Sequence, residues 1–209
     1  MLYSFLKKIY LDYLRIRDFI NKVYVKNVFY LMRVRVRSFK TFGRPIVRVS
    51  SGGKFEIGEN FTINNGFVAN LIGRQQPCFF IVGPEGQLEI GNNVGISSSA
   101  IVCREKIVIE DHVLIGGNTA IYDTDFHPVN FMDRLRSPDK YSPLIKNNPV
   151  FIKEHAFIGA HTTILKGVTI GERSVIGAGS VVTKNVPPDE IWAGNPARFI
   201  KKNTTKPVE

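Results

Sequence analysis

From Ile152 onward an aliphatic residue returns every six positions, at Ile152, Ile158, Ile164, Ile170, Ile176 and Val182. Neither a period-two strand nor a 3.6-residue helix produces that spacing. A short fixed period specifies a parallel β-helix, in which each flat side of a coil buries one inward residue and each coil stacks on the next. Three six-residue sides make an 18-residue coil, so Ile158 is expected to stack on Ile176 and Ile164 on Val182, at strand spacing of about 4.8 Å. An earlier block, Ile90, Ile96 and Val102 followed by Ile109, Ile115 and Ile121, repeats the pattern with one extra residue between the trios, and Ile57 and Ile63 begin the series. Glycine follows the inward residue at Ile115-Gly116, Ile158-Gly159 and Ile176-Gly177, where the backbone must turn a corner that a Cβ would obstruct.

The register stops at Ile121 and resumes at Ile152, which leaves residues 122–151 as a loop outside the repeat. Loops of that length inside a compact domain are commonly functional. This one opens with Ile121-Tyr122-Asp123-Thr124-Asp125-Phe126-His127-Pro128, and Pro128, Pro138, Pro143 and Pro149 stiffen it. A neutral imidazole is a natural general base near neutral pH, and a carboxylate on its other nitrogen fixes the tautomer and stabilises the imidazolium. His127 is therefore the candidate base, with Asp125, and beside it Asp123, as the candidate orienting carboxylate. A plain surface histidine is the competing reading.

The charge of the chain is local. Residues 1–54 hold 13 of the 28 Lys and Arg but only 2 of the 18 Asp and Glu, so this segment carries +11 and the remainder −1. Within it Leu2, Phe5, Leu6, Ile9, Tyr13, Ile16, Ile20 and Val23 follow helical spacing, and Arg33, Arg35 and Arg37 then alternate with Val34 and Val36. The pattern predicts an amphipathic helix and a lead-in strand over 1–42, ahead of a repeat domain over 43–209. Such a helix serves either to cap the open end of the β-helix or to bind an anionic membrane surface. A short basic run with no recognised binding motif does not make a nucleic-acid site.

Cys78 and Cys103 form neither a zinc spacing nor a disulfide framework, which suits a reducing cytoplasm. The first residues lack the apolar core of a signal peptide, and no apolar run has the length needed to cross a bilayer. His112, His155 and His161 occur in the repeat sides. Zinc catalysis of the kind carried by γ-class carbonic anhydrases, which resemble this architecture, requires three converging ligands. Nothing in the spacing establishes convergence, so no metal is expected.

The segments Ile158-Gly159-Ala160-His161, Gly167-Val168-Thr169-Ile170-Gly171, Ser174 to Lys184, Pro187-Pro188 and Ala193-Gly194-Asn195-Pro196-Ala197-Arg198 resemble the hexapeptide-repeat acyltransferases. The branch most similar contains the maltose and galactoside O-acetyltransferases and the O-acetyltransferases of bacterial surface polysaccharides. The resemblance covers about residues 45–201 and is densest at the C-terminal end.

It implies an all-β fold, a left-handed parallel β-helix, assembled as a homotrimer with active sites between subunits and acetyl-CoA as donor. By position it assigns Ala160, Ala178, Thr183 and Lys184 to contacts with CoA, and Arg198 and Lys201 to the nucleotide phosphates. Ala160 and Ala178 are 18 residues apart and so stacked, and with the neighbouring glycines they form a face of nearly bare backbone against which a pantetheine arm can lie. Where relatives often carry a serine that helps hold the oxyanion, this chain has Ala160, and Phe157 replaces a common tryptophan. Ser97, Ser99 and Arg104 are the candidate acceptor contacts. The implied reaction is acetyl transfer to a sugar hydroxyl of a surface polysaccharide or its lipid-linked precursor, in the cytoplasm or at the inner face of the membrane. The alternatives are acetyl transfer to a nucleotide-linked amino sugar, an antibiotic or a small thiol or amino acid, a zinc hydratase, and a non-catalytic scaffold.

Overall fold

The computed structural model describes residues 2–66, 76–136 and 142–204. A 30-residue helix, α1 (Leu2–Leu31), precedes a three-sided prism of short strands. The first side stacks β1 (Arg35–Val36), β4 (Lys54–Ile57), β7 (Gln87–Ile90), β10 (Lys106–Ile109), β13 (Val150–Ile152) and β16 (Thr169–Ile170). The second stacks β2 (Phe39–Phe42), β5 (Phe61–Asn64), β8 (Gly95–Ser97), β11 (Leu114–Ile115), β14 (Phe157–Ile158), β17 (Val175–Ile176), β19 (Glu190–Gly194) and β20 (Ala197–Lys202). The third stacks β3 (Ile46–Val49), β6 (Phe79–Val82), β9 (Ala100–Cys103), β12 (Ala120–Tyr122), β15 (Thr163–Ile164) and β18 (Val181–Val182). The chain visits the sides in turn and winds as a left-handed parallel β-helix, against the usual right-handed crossover. A short helix, α2 (Phe131–Arg136), lies within the long loop.

The register follows the repeat. Ile158 stands opposite Ile176 and Ile164 opposite Val182, while Ile90 meets Ile109 and Ile96 meets Ile115. One rung departs from the expectation. Ile101, not Val102, pairs with Ile121 and is fully buried, and Val102 faces outward beside Tyr122. The corner Ser97-Ser98-Ser99 is one residue tighter than the repeat assumes, and the following corner around Arg104-Glu105 is correspondingly longer, so the two slips cancel before Ile107. The first coil also begins earlier than Ile57, because β1 pairs Arg35 with Glu56 and Val36 with Ile57. The lead-in strand is thus already a side of the prism.

Inward residues such as Ile96, Ile109, Ile121, Ile152, Ile164 and Ile176 are completely buried and form one continuous core. Each contributes roughly 1.5–3 kcal/mol through burial. The corners need left-handed backbone, and Asn60, Asn93, His112, His155 and Arg173 supply it at one edge with φ between 56° and 60°. Asn tolerates that region better than most residues, which fits its use at two of these positions.

Only the C-terminal turns of α1 cap the prism. Val25 and Phe29 are buried, and the Phe29 ring meets Phe39 edge-on at 5.1 Å and Phe55 at 6.5 Å. Arg44 Nε donates to Asn21 Oδ1 at 2.8 Å and its guanidinium covers the Tyr24 ring at 4.4 Å. The helix ends where Arg33 adopts φ 55° and the Val34 N–H reaches back to the Phe29 carbonyl. At the other end β20 folds back antiparallel on β19, and Glu190 holds both the Trp192 Nε1–H at 2.7 Å and the Lys202 ammonium at 2.7 Å.

Candidate active site

The long loop leaves the prism at the corner that joins the third side to the first, and its neck is pinned. Asp123 is completely buried, and its carboxylate accepts the N–H of Arg104 at 2.7 and 3.0 Å and that of Glu105 at 2.8 Å. Burial pushes this carboxyl up, while the amide N–H groups of Arg104 and Glu105 pull against that shift. The Asp123 carbonyl accepts from Asn148 N–H, the Asp125 N–H donates to Lys146, and Thr124 bridges antiparallel to Asn147. The outgoing and returning strands of the loop are thereby closed on each other. His127 is exposed just beyond this neck, after Phe126, whose positive φ of 62° turns the chain outward and whose ring packs edge-on against Tyr122 at 5.0 Å.

Both candidate carboxylates are held by other partners. Asp123 is engaged by the two amides, and Asp125 Oδ1 forms a half-buried ion pair with Lys166 at 3.0 Å. His127 instead donates its backbone N–H to the Asp125 carbonyl at 2.7 Å. Lys166 was not foreseen, although the register contains it: Ile164 stacks on Ile121, so the residue two after Ile164 lies below the loop neck.

The small residues assemble as the repeat requires. Ala160 and Ala178 lie at the corner joining the second side to the third, and Gly179 N–H donates to the Ala160 carbonyl at 2.8 Å. A Cβ on Gly159 would stand 2.5 Å from the Ala178 nitrogen, and one on Gly116 would stand 2.6 Å from the Ala160 nitrogen. A side chain is thus excluded at positions 116 and 159. Buried hydroxyls tie it from within: Thr119 donates to the Gly116 carbonyl at 2.8 Å, Thr162 to Gly159 at 2.7 Å and Ser180 to Gly177 at 2.6 Å. Beside it, Asn118 Oδ1 and His161 Nε2 are buried without a hydrogen-bond partner.

Thr183 and Lys184 are exposed after β18, on the opposite edge of the third side, and so face away from Ala160 and Ala178 of the same chain. Arg198 and Lys201 are exposed on β20, opposite Ala193 and Ile191. Within one protomer Thr183 and Lys184 are therefore separated from Ala160 and Ala178, whereas Arg198 lies opposite Ala193 on the terminal hairpin that continues the second side. The same separation holds for His127 and Ala160, which stand at the two ends of the third side.

The acceptor candidates divide likewise. Ser97 points outward on the second side, in an open groove of about 460 Å³ with Asn64, Leu114, Gly116 and Phe157. Ser99 is a correction: it is completely buried and donates to the Ser97 carbonyl at 2.8 Å and the Gly116 carbonyl at 3.0 Å, so it belongs to the hydroxyl ladder inside the corner. Arg104 lines a cavity of about 150 Å³ beneath the loop neck, with Glu85, Thr124, Ser142, Ile145 and Asn147. Asn147 Oδ1 is buried there without a partner. Pro138, one of the loop prolines, lies outside the described residues.

His112 and His155 stack with ring centroids 4.8 Å apart at the first-to-second corner, whereas His161 stands at the next corner. Among the described residues no three His, Cys, Asp or Glu side chains converge. Cys78 and Cys103 are buried. Burial pushes the Cys78 thiol up to about 12 and, together with the charge of Asp123, raises that of Cys103.

Residues 149–184 match the bacterial transferase hexapeptide family of six repeats. Galactoside O-acetyltransferase of Escherichia coli is 38% identical over 129 residues, 61% of this chain and 59% of that enzyme. A hexapeptide-repeat acetyltransferase of Vibrio cholerae is 30% identical in structural alignment, with a TM-score of 0.55, covering 71% of this chain and 73% of that one. A galactoside acetyltransferase solved in complex with coenzyme A is 29% identical, TM-score 0.53, covering 82% and 64%. The chain belongs to the hexapeptide-repeat acetyltransferase family. It spans 59% to 65% of the length of two curated relatives that it matches.

Proposed function

We propose that this protein is an acetyl-CoA-dependent O-acetyltransferase that acts, as a homotrimer, on a sugar hydroxyl of a surface polysaccharide or its lipid-linked precursor. One observation carries the reading: His127 projects on a pinned loop at one edge of the third side, while the small-residue corner of Ala160 and Ala178 forms the other edge. A threefold arrangement of prisms sets the loop edge of one copy beside the bare edge of the next. Thr183 and Lys184 then join Ala160 and Ala178 around one cleft from two copies. Relatives solved with coenzyme A support the donor, and the galactoside acetyltransferases support a sugar acceptor.

In this reading the pantetheine arm lies along the bare edge, and Arg198 and Lys201 meet the nucleotide phosphates. His127 takes the proton of the acceptor hydroxyl as its oxygen attacks the thioester carbonyl. The tetrahedral intermediate collapses with loss of the CoA thiolate, which the imidazolium protonates, so ester and free thiol form with no covalent acyl-enzyme. Main-chain N–H groups at the Ala160 corner serve the oxyanion, since no hydroxyl stands at that position. Asp125 acts through its carbonyl and through the ion pair with Lys166, both of which hold the neck that carries His127. The cavity with Arg104 and Asn147 offers hydrogen bonds to acceptor oxygens.

The test is mass spectrometry of glycans incubated with enzyme and isotopically labelled acetyl-CoA. Label on a sugar oxygen supports the reading. Label on an amino sugar nitrogen moves the protein to the N-acetyl class, and transfer to none of the saccharides overturns it.

A further inference from the structure

The N-terminal part of α1 has no partner within the chain. Leu2, Leu6, Ile9, Tyr13, Ile16 and Ile20, at alternating spacings of four and three, form one stripe, and these side chains are between 51% and 71% exposed. The stripe lies roughly 150° around the helix from Val25 and Phe29, the face that covers the prism. Capping therefore does not use it. Tyr3, Phe5, Tyr10 and Phe19 border the stripe and are more than half exposed. The tyrosine rings favour the boundary between water and lipid, and the phenylalanine rings add apolar area.

The net charge of the helix selects the occupant. The helix carries six Lys and Arg against Asp12 and Asp18. Both aspartates are spent locally, on Arg15 at 3.1 Å and Arg17 at 2.8 Å. Two copies of this helix, each carrying the same net positive charge, would repel across a shared seam. The same excess is complementary to an anionic surface. Among the described residues no helix is long and apolar enough to cross a membrane, so α1 would lie on a bilayer and not span it.

We infer that α1 docks the protein flat on an anionic lipid bilayer, apolar stripe inward, drawn there by the net positive charge of the helix. Because Val25, Phe29 and the Arg44–Asn21 bond fix the helix to the first coil, the same end of every prism faces the membrane.

The experiment is co-sedimentation of the full-length protein with phosphatidylglycerol-rich and with pure phosphatidylcholine vesicles. Binding should be at least about tenfold tighter to the anionic vesicles and weaken at high salt. The double variant Ile9→Asp, Ile16→Asp should lose at least about tenfold of that binding with an unchanged melting temperature, because both side chains stand in solvent. Equal binding to both vesicle types overturns the inference, as does wild-type binding by the double variant. A larger lipid-free assembly that the double variant dissolves also overturns it and makes the stripe a seam between copies. Vesicle binding is read without turnover, so its failure leaves the acetyl-transfer reading intact, and the reverse.

Discussion

The carboxylate of Asp123 holds the backbone N–H of Arg104 at 2.7 and 3.0 Å, so the neck of the catalytic-candidate loop is fastened to the preceding coil and not to its own. The replacement Asp123→Ala leaves the amides of Arg104 and Glu105 without their acceptor in a part-buried corner. It should cost about 2–4 kcal/mol of stability, measured by denaturant unfolding, since charge-assisted bonds are the stronger class and unmet buried donors carry the full penalty. Acetyl transfer should fall more steeply than folded fraction, because the neck positions His127.

Substitution of His127 by Asn should lower acetyl transfer about 10²–10⁴-fold, the range expected for loss of a general base. Calorimetric affinity for CoA should stay within about twofold of the parent value. Parental turnover in this variant would remove His127 from the reaction.

Gly159→Val tests the bare corner. The new side chain would begin 2.5 Å from the Ala178 nitrogen, and backbone cannot yield there as the end of a flexible chain could. A fall in melting temperature together with loss of CoA binding is expected. The same replacement at Gly179, where nothing lies within 4 Å but φ is +73°, should act through backbone strain alone, about 1 kcal/mol or more.

Phe29→Ala opens the space between α1 and the first coil. Loss of a fully buried phenylalanine that touches Phe39 and Phe55 should cost about 3–5 kcal/mol. Thermal unfolding reads this directly, and α1 should become protease-sensitive before the prism does.

Acid should loosen the C-terminal hairpin. The Arg173 guanidinium holds the Asp189 carboxyl below its usual range, and Lys202 with Trp192 does the same for Glu190. Their contribution is fully present above the ordinary carboxylate pKa of about 4 and is lost as pH falls through the depressed values. Hydrogen exchange at β19 and β20 should therefore accelerate below about pH 4, and Glu190→Gln should remove part of that dependence.

How much of this was legible in the sequence depends on whether the determinant is periodic. Ile158 over Ile176 and Ile164 over Val182 follow from counting alone, and so does the bare corner at Ala160 and Ala178. Ile101 escaped because two corner lengths change in opposite senses and restore the register afterwards, which a pattern of inward residues does not reveal. Ser99 escaped for a different reason: a hydroxyl that ties a corner and a hydroxyl that awaits a sugar look alike in a sequence. The Asp125–Lys166 pair joins the loop to the next coil, across 41 residues of sequence, and only the stacking register brings the two together. The helix was legible as amphipathic, but only its fold-level neighbours separate the face that caps the prism from the face left in water.

The loop enters and leaves the prism without interrupting it: β12 stacks on β15 and β10 on β13 as if residues 123–149 were absent. Beyond the pinned neck, the length of the loop is consequently independent of the register of the prism. On the proposed reading, exchange of this segment beyond its neck should change acceptor preference while the corner of Ala160 and Ala178 stays as it is, so acceptor specificity should be engineered as a graft.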